Sequence, residues 1–226
     1  MARPIIASDE EILQAAHRVL DRRGPDAFSI AEVASEAGIS RATIILRFRS
    51  TSALKLTLLT QVVQYFAAAV AQVPKPKGGD GLLHIAAFIG THLHSRESSA
   101  KFFARYNANL QDPELTALEH KRGQILLDAI SEVMPKVAIE HDAAARAFLS
   151  QLTGNIIAWL AMDDPDSRRY LVLRTRDWLQ LAGIRHSEQL VQELAASSTA
   201  PASLKKNSST SSTPARSAPR AKRRSN

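Results

Sequence analysis

Apolar positions recur three and four residues apart along most of this chain, the period of a helix buried on one side. Ile12, Ala16, Val19 and Leu20 share one face of a first predicted helix. Ser8 and Glu11 form a capping box at its start, and Gly24 after Arg22-Arg23 predicts its end. A second helix opens at Ser29, with Glu32 completing another box and Phe28 and Val33 spaced for a hydrophobic staple. A third starts at Ser40. A fourth runs from about Ser50 to Val73, where Pro74-Lys-Pro-Lys-Gly-Gly breaks it. Five or six more helices follow, with expected spans of about 81–95, 98–110, 113–134, 142–163, 167–182 and 186–196. Pro113, Pro135 and Pro165 mark starts or breaks between them. No stretch alternates apolar and polar residues for long enough to argue a sheet, so the expected fold class is all-α.

Charge changes this picture in one place. The net charge of +7 sits in the tail: Lys205, Lys206, Arg216, Arg220, Lys222, Arg223 and Arg224 lie beyond the last acidic residue, Glu193. Residues 1–193 carry no net charge, so the basic pI alone does not make the folded part a nucleic-acid binder. From Ser197 onward the chain is Ser, Thr, Ala, Pro, Lys and Arg, too polar to offset its ordering entropy. It is read as a disordered basic tail that either adds sequence-independent DNA affinity or only solubilises. Apolar residues make up 45% of the chain, enough for a core. There is no Cys, which excludes disulfides, thiolate metal sites and Cys nucleophiles. Residues 1–12 contain no long apolar segment and predict no signal peptide. The longest clean apolar run, Ile156 to Met162, is far short of the ~20 residues of a membrane span. The expected location is the cytoplasm, with no membrane partner.

The stretch Ser29 to Phe48 carries the most specific pattern. Ile30, Val33, Ala34 and Ala37 give a short helix its inner face, and Gly38 permits a left-handed turn. Ile39 fills the space between helices, Ser40 caps the next, and Ile44 and Phe48 return to the core. This is the spacing of a helix-turn-helix, whose second helix enters a major groove. The triplet Ile44-Ile45-Leu46 is unusual there, because a DNA-reading helix is expected to be polar on its outer face. Ile44 is assigned inward, and Ile45 and Leu46 to the DNA face or its edge.

Gly24, Phe28-Ser-Ile-Ala-Glu-Val-Ala, Ala37-Gly-Ile-Ser-Arg-Ala-Thr-Ile, Phe48 and Leu54 together resemble the DNA-binding region of the TetR family of bacterial transcriptional repressors. The resemblance is close over residues 9–56 and looser over 57–196, where Asp112-Pro-Glu-Leu is of a kind common in such ligand domains. It implies a DNA-binding domain at 1–56, a helical effector-binding and dimerisation domain at 57–196, and a tail at 197–226 outside it. Two departures stand out. Ile45 replaces the usual phosphate-holding Tyr, and Thr51 replaces the usual Lys. Both losses remove backbone contacts, which supply affinity and register rather than base specificity. No acidic residue lies between Ala37 and Gly79, whereas Arg41, Arg47, Arg49 and Lys55 bracket the recognition helix. The expected DNA-contacting set is Ser40, Arg41, Ala42, Thr43, Ile45, Leu46, Arg47, Arg49, Thr51 and Lys55. Arg41 is the candidate for a guanine edge.

The resemblance also implies a homodimer released from a palindromic operator by a small molecule. Phe148, Leu152 and Ile156 on one late helix, with Tyr170, Leu173 and Trp178 on the next, are the expected dimer interface, half of a four-helix bundle. Phe66, Phe88, His92, Phe102, Phe103, Tyr106 and Trp159 are the expected ligand pocket, against plain core packing for each singly. No charged pair stands out as a ligand anchor, which favours an apolar or amphipathic effector. His92 and His94, two apart on a helix, face apart, so no metal is expected. No nucleophile elbow, P-loop, zinc-protease or dinucleotide motif is present, so neither an enzyme nor a cofactor is expected. The leading expectation is therefore a ligand-responsive regulator, more a repressor than an activator. The alternative is a ligand-binding or interaction module that kept the fold but lost specific DNA affinity.

Overall fold

A computed structural model describes residues 7–93 and 95–196. The tail at 197–226 and His94 lie outside the described residues, so the readings made of them are not addressed. Among the described residues there are ten helices: α1 (Asp9–Arg23), α2 (Ile30–Ala37), α3 (Arg41–Phe48), α4 (Thr51–Ala71), α5 (Gly79–His92), α6 (Arg96–Asn109), α7 (Pro113–Val133), α8 (His141–Ala161), α9 (Ser167–Leu181) and α10 (Glu188–Ala196). No strand occurs among the described residues. The all-α expectation holds, and every helix lies close to its expected span.

The N-terminal unit folds around one core. Ile12, Ala15, Ala16 and Val19 of α1 meet Val33 and Ala34 of α2, Ile44 and Phe48 of α3, and Leu54 and Leu58 of α4. Local chemistry fixes the turns between these helices. Ser8 and Glu11 make the expected reciprocal box at the start of α1. Ser29 caps α2 by accepting from the Glu32 amide, but the Glu32 carboxylate reaches back to Arg23 at 3.3 Å instead of closing a box. Gly38 takes the left-handed backbone at φ 67° between α2 and α3, where a side chain would add strain. Glu36 of α2 receives both Arg18 and Arg22 of α1, at 2.8 and 2.7 Å, clamping the two helices.

A larger core holds the C-terminal unit. Leu82, Leu83, Ile85 and Ala86 of α5, Ile130 and Val133 of α7, Phe148 and Leu152 of α8, and Leu171, Val172 and Leu179 of α9 are all buried in it. Helices α5 and α9 pack against each other at backbone distance at Gly90, where a Cβ would overlap the Arg168 Cα. Helix α4 joins the two units. Its Leu54 and Leu58 belong to the N-terminal core, while Leu59 and Val63 pack with Leu115 of α7. At 21 residues, with an 18-residue window of mean hydropathy 1.3, α4 is long and apolar enough to cross a bilayer although it holds no unbroken apolar run of that length. Its placement between two cores supplies another reason for that composition.

Candidate nucleic-acid interface and effector region

Helix α3 sorts its residues by 100° steps. Ile44 and Phe48 are buried and fasten it to the core. Arg41, Ala42, Ile45 and Leu46 form the opposite, outward face. Ile45 is 45% exposed and Leu46 85% exposed. Ser40 caps the helix by accepting from the Thr43 amide at 3.1 Å. Its hydroxyl and that of Thr43 lie 2.9 Å apart, so Thr43 is partly engaged at the helix start.

The four flanking candidates differ in what they touch. Arg47 does not reach outward. Its guanidinium donates to the Ala7 carbonyl and to the Asp9 carboxylate at 3.1 Å, on the α1 side of α3. These contacts brace α3 against the start of α1. Arg49 is exposed at the junction with α4, in a backbone of φ 66° and ψ −49°. The Ser50 amide bonds the Phe48 carbonyl at 2.7 Å, closing a γ-turn of the rare, strained hand around Arg49. Ser50 caps α4 through the Ala53 amide, and Thr51 opens that helix. Lys55 lies 5.6 Å from the Phe28 ring centroid, one turn into α4. Arg41, Arg49, Lys55 and the free amides at the start of α4 therefore surround the apolar outer face of α3.

The expected ligand residues fall into separate groups. Phe66, Phe88 and His92 form a chain of rings, 6.1 and 4.3 Å between centroids. Phe88 and His92 line an open groove of about 280 Å³ with His84, Thr91 and Arg168. Phe102, Phe103 and Tyr106 lie on α6, mutually 5.4 and 6.4 Å from Phe102. Trp159 joins neither group. It is buried, its indole N–H donates to the Asp164 carbonyl at 2.9 Å, and Arg96 covers its ring.

A buried charged pair, overlooked in the sequence, sits under α6. Glu119 of α7 is 4% exposed and pairs with Arg122 at 2.7 Å, while Asn109 donates to its other oxygen at 2.7 Å. The Arg122 guanidinium lies 4.6 Å from the Phe102 centroid and 5.9 Å from that of Tyr106. Burial pushes its pKa down, and Glu119 pulls it back. The i,i+3 spacing of Glu119 and Arg122 was the available signal. Ser99 Oγ on α6 and Asn155 Nδ2 on α8 are buried without a hydrogen-bond partner. Ser99 is the one buried residue of α6, so this helix is the most lightly held of the long ones. Among the described residues no three His, Asp or Glu side chains gather as a metal cluster would need.

The expected dimer residues divide as well. Phe148 and Leu152 are fully buried in the subunit's own core, and Trp178 packs edge-on against Phe148 at 5.2 Å. Phe148 and Leu152 are therefore packed within the subunit. Ile157, 56% exposed, Leu181, 89% exposed, and Met162 supply the outward apolar surface of α8 and α9 instead. Tyr170 and Leu173 line a shallow depression of about 690 Å³ beside Met162.

Comparison with known proteins agrees with this geometry. The profile of the bacterial regulatory proteins, tetR family, matches residues 12–56, the helix-turn-helix and its approach. A Bacillus subtilis (strain 168) relative described as the uncharacterized HTH-type transcriptional regulator YvkB is 28% identical over 162 residues, covering 70% of this chain and 85% of that one. The multidrug binding protein EbrR, solved with imidazole, shares the fold at TM-score 0.58 and 24% identity, over 74% of this chain and 87% of that one. A Saccharomonospora viridis regulator, solved with choline, does so at TM-score 0.64 and 20% identity, over 79% and 97%. Profile, relative and fold coincide on the elements described above: residues 12–56 match the DNA-binding region of the bacterial regulatory proteins of the tetR family, and the chain as a whole shares the fold of solved members of that family.

Proposed function

We propose that this protein is a cytoplasmic homodimeric repressor that holds a palindromic operator through α3 and is released by a small molecule. The observation that carries the reading is the outward face of α3. It is fixed from behind by Ile44, Phe48 and Arg47, and flanked by Arg41, Arg49 and Lys55 with no acidic residue between 37 and 79. Base contact falls to Arg41, and backbone contact to Arg49, Lys55, Ser40, Thr43 and the Thr51 end of α4. Residues 1–56 serve as the DNA-binding domain and 57–196 as the effector and dimerisation domain.

The exposed Ile157 and Leu181 support a partner on α8–α9, since two recognition helices about one DNA turn apart need a two-fold axis. Helix α6 supports the effector role. It is lightly held, carries three half-buried aromatics and the unpartnered Ser99 hydroxyl, and lies over the Glu119–Arg122 pair. An amphipathic ligand suits that mix. Two proteins of the same fold were solved with imidazole and with choline, which supports a small-molecule effector. The test is a titration of the chain against the DNA upstream of its own gene, with the complex mass measured. Two chains per site and release by a small molecule are expected. A complex no tighter than on random DNA overturns the repressor reading.

A further inference from the structure

The outward face of α3 contains one cation and three alkyl side chains, and this composition limits what it can recognise. Arg41, Ala42, Ile45 and Leu46 stand at successive corners of the face, with Ile45 one turn from Arg41 and Leu46 one turn from Ala42. Leu46 is 85% exposed, the second most exposed large apolar side chain among the described residues. Nothing in the subunit covers it. A side chain that served only the fold would sit inward, as Ile44 and Phe48 do.

A protein partner or a second copy would also cover an alkyl face. The surroundings favour DNA: Arg41 shares the face, Arg49 and Lys55 flank it, and no acidic residue lies between 37 and 79. Within a major groove, hydrogen-bond donors and acceptors mark every base, but only thymine presents a methyl group. Ile45 and Leu46 have no polar atom to offer a base edge. We propose that Leu46, with Ile45 beside it, reads thymine 5-methyl groups, so that sequence preference rests on alkyl contact at thymine next to an Arg41-read purine.

This inference rests on the reading of α3 as a DNA-reading helix, and one experiment separates the two. The full chain selects duplexes from a random pool at physiological salt. The enriched duplex is then remade with single thymines replaced by deoxyuridine, which removes the methyl and keeps the base pair. Affinity is expected to fall about fourfold at each contacted thymine, the ~0.8 kcal/mol of one buried carbon at 1.4 kcal/mol per tenfold. In Leu46→Ala that difference is expected to shrink toward none, and the exposed position makes the variant safe for folding. Deoxyuridine without effect at every position overturns the inference but leaves DNA reading intact. A penalty that persists unchanged in Leu46→Ala and Ile45→Ala reports DNA shape and overturns it as well. A pool in which nothing is enriched overturns both readings, and self-association lost in Leu46→Ala would then identify a second copy as the occupant.

Discussion

Arg105 of α6 reaches Asp21 of α1 at 2.5 Å, although the two are 84 residues apart. The contact ties the lightly held helix over the Glu119–Arg122 pair to the first helix of the helix-turn-helix unit. His17 holds the other Asp21 oxygen at 2.9 Å. It is thus a physical link between the two regions that a ligand-responsive regulator has to couple.

A charge swap tests that link. Asp21→Arg and Arg105→Asp alone are each expected to lower the unfolding midpoint. The double variant is expected to recover part of the loss, with a coupling of about 0.2–1 kcal/mol for a partly exposed pair. Additive effects in thermal melts would mean that the pair does not interact in solution.

The same carboxylate sets a pH response. The His17 hydrogen bond, with Arg105 adding to it, holds the Asp21 pKa below its ordinary value despite partial burial. A carboxyl lowered in the folded state contributes stability that is full above its unfolded pKa of about 4 and is lost as pH falls through the folded value. Melting curves at descending pH should therefore show the parent losing more stability than Asp21→Asn below about pH 4. Parallel losses would assign the acid sensitivity elsewhere.

Arg49 offers a case in which stability and binding oppose each other. Its backbone at φ 66° is strained for any residue with a Cβ. Arg49→Gly is expected to raise the unfolding free energy by up to about 1–2 kcal/mol, the relieved strain less the added freedom of the unfolded chain. It should also weaken binding to all DNA sequences alike and reduce the salt slope by about one. An unchanged slope would remove Arg49 from the phosphate contacts.

Phe148 and Ile157 separate core from interface on one helix. Phe148→Ala should cost about 3–5 kcal/mol by leaving a cavity. Ile157→Glu should keep the helical content and convert a sedimenting dimer to monomer. A dimer that survives Ile157→Glu would place the interface on another face.

The local parts of this structure were legible in the sequence, and the long-range parts were not. Ser8, Ser29 and Ser40 each cap the helix they were expected to open, Ser50 caps the helix expected to run from it, and Gly38 turns as expected, because these effects act within four residues. Ile44 and Phe48 were assigned inward from their spacing alone. The brace made by Arg47 was not legible, since its partners Ala7 and Asp9 lie about 40 residues away and a surface Arg looks the same with or without them. Phe148 and Leu152 were assigned to a partner because α8 is apolar on several sides. Periodicity then shows burial without showing whether the subunit or its twin provides it. Arg105 and Asp21 carried no sequence signal at all.

The most direct test of the central claim is the specificity of α3. The full chain is titrated at physiological salt against its enriched duplex and against a scrambled duplex of the same composition. The account predicts a preference of at least about 10³-fold, and in Arg41→Ala a loss of roughly 1–3 kcal/mol confined to one base position. Equal affinity for the two duplexes, or full preference retained in Arg41→Ala, would contradict it.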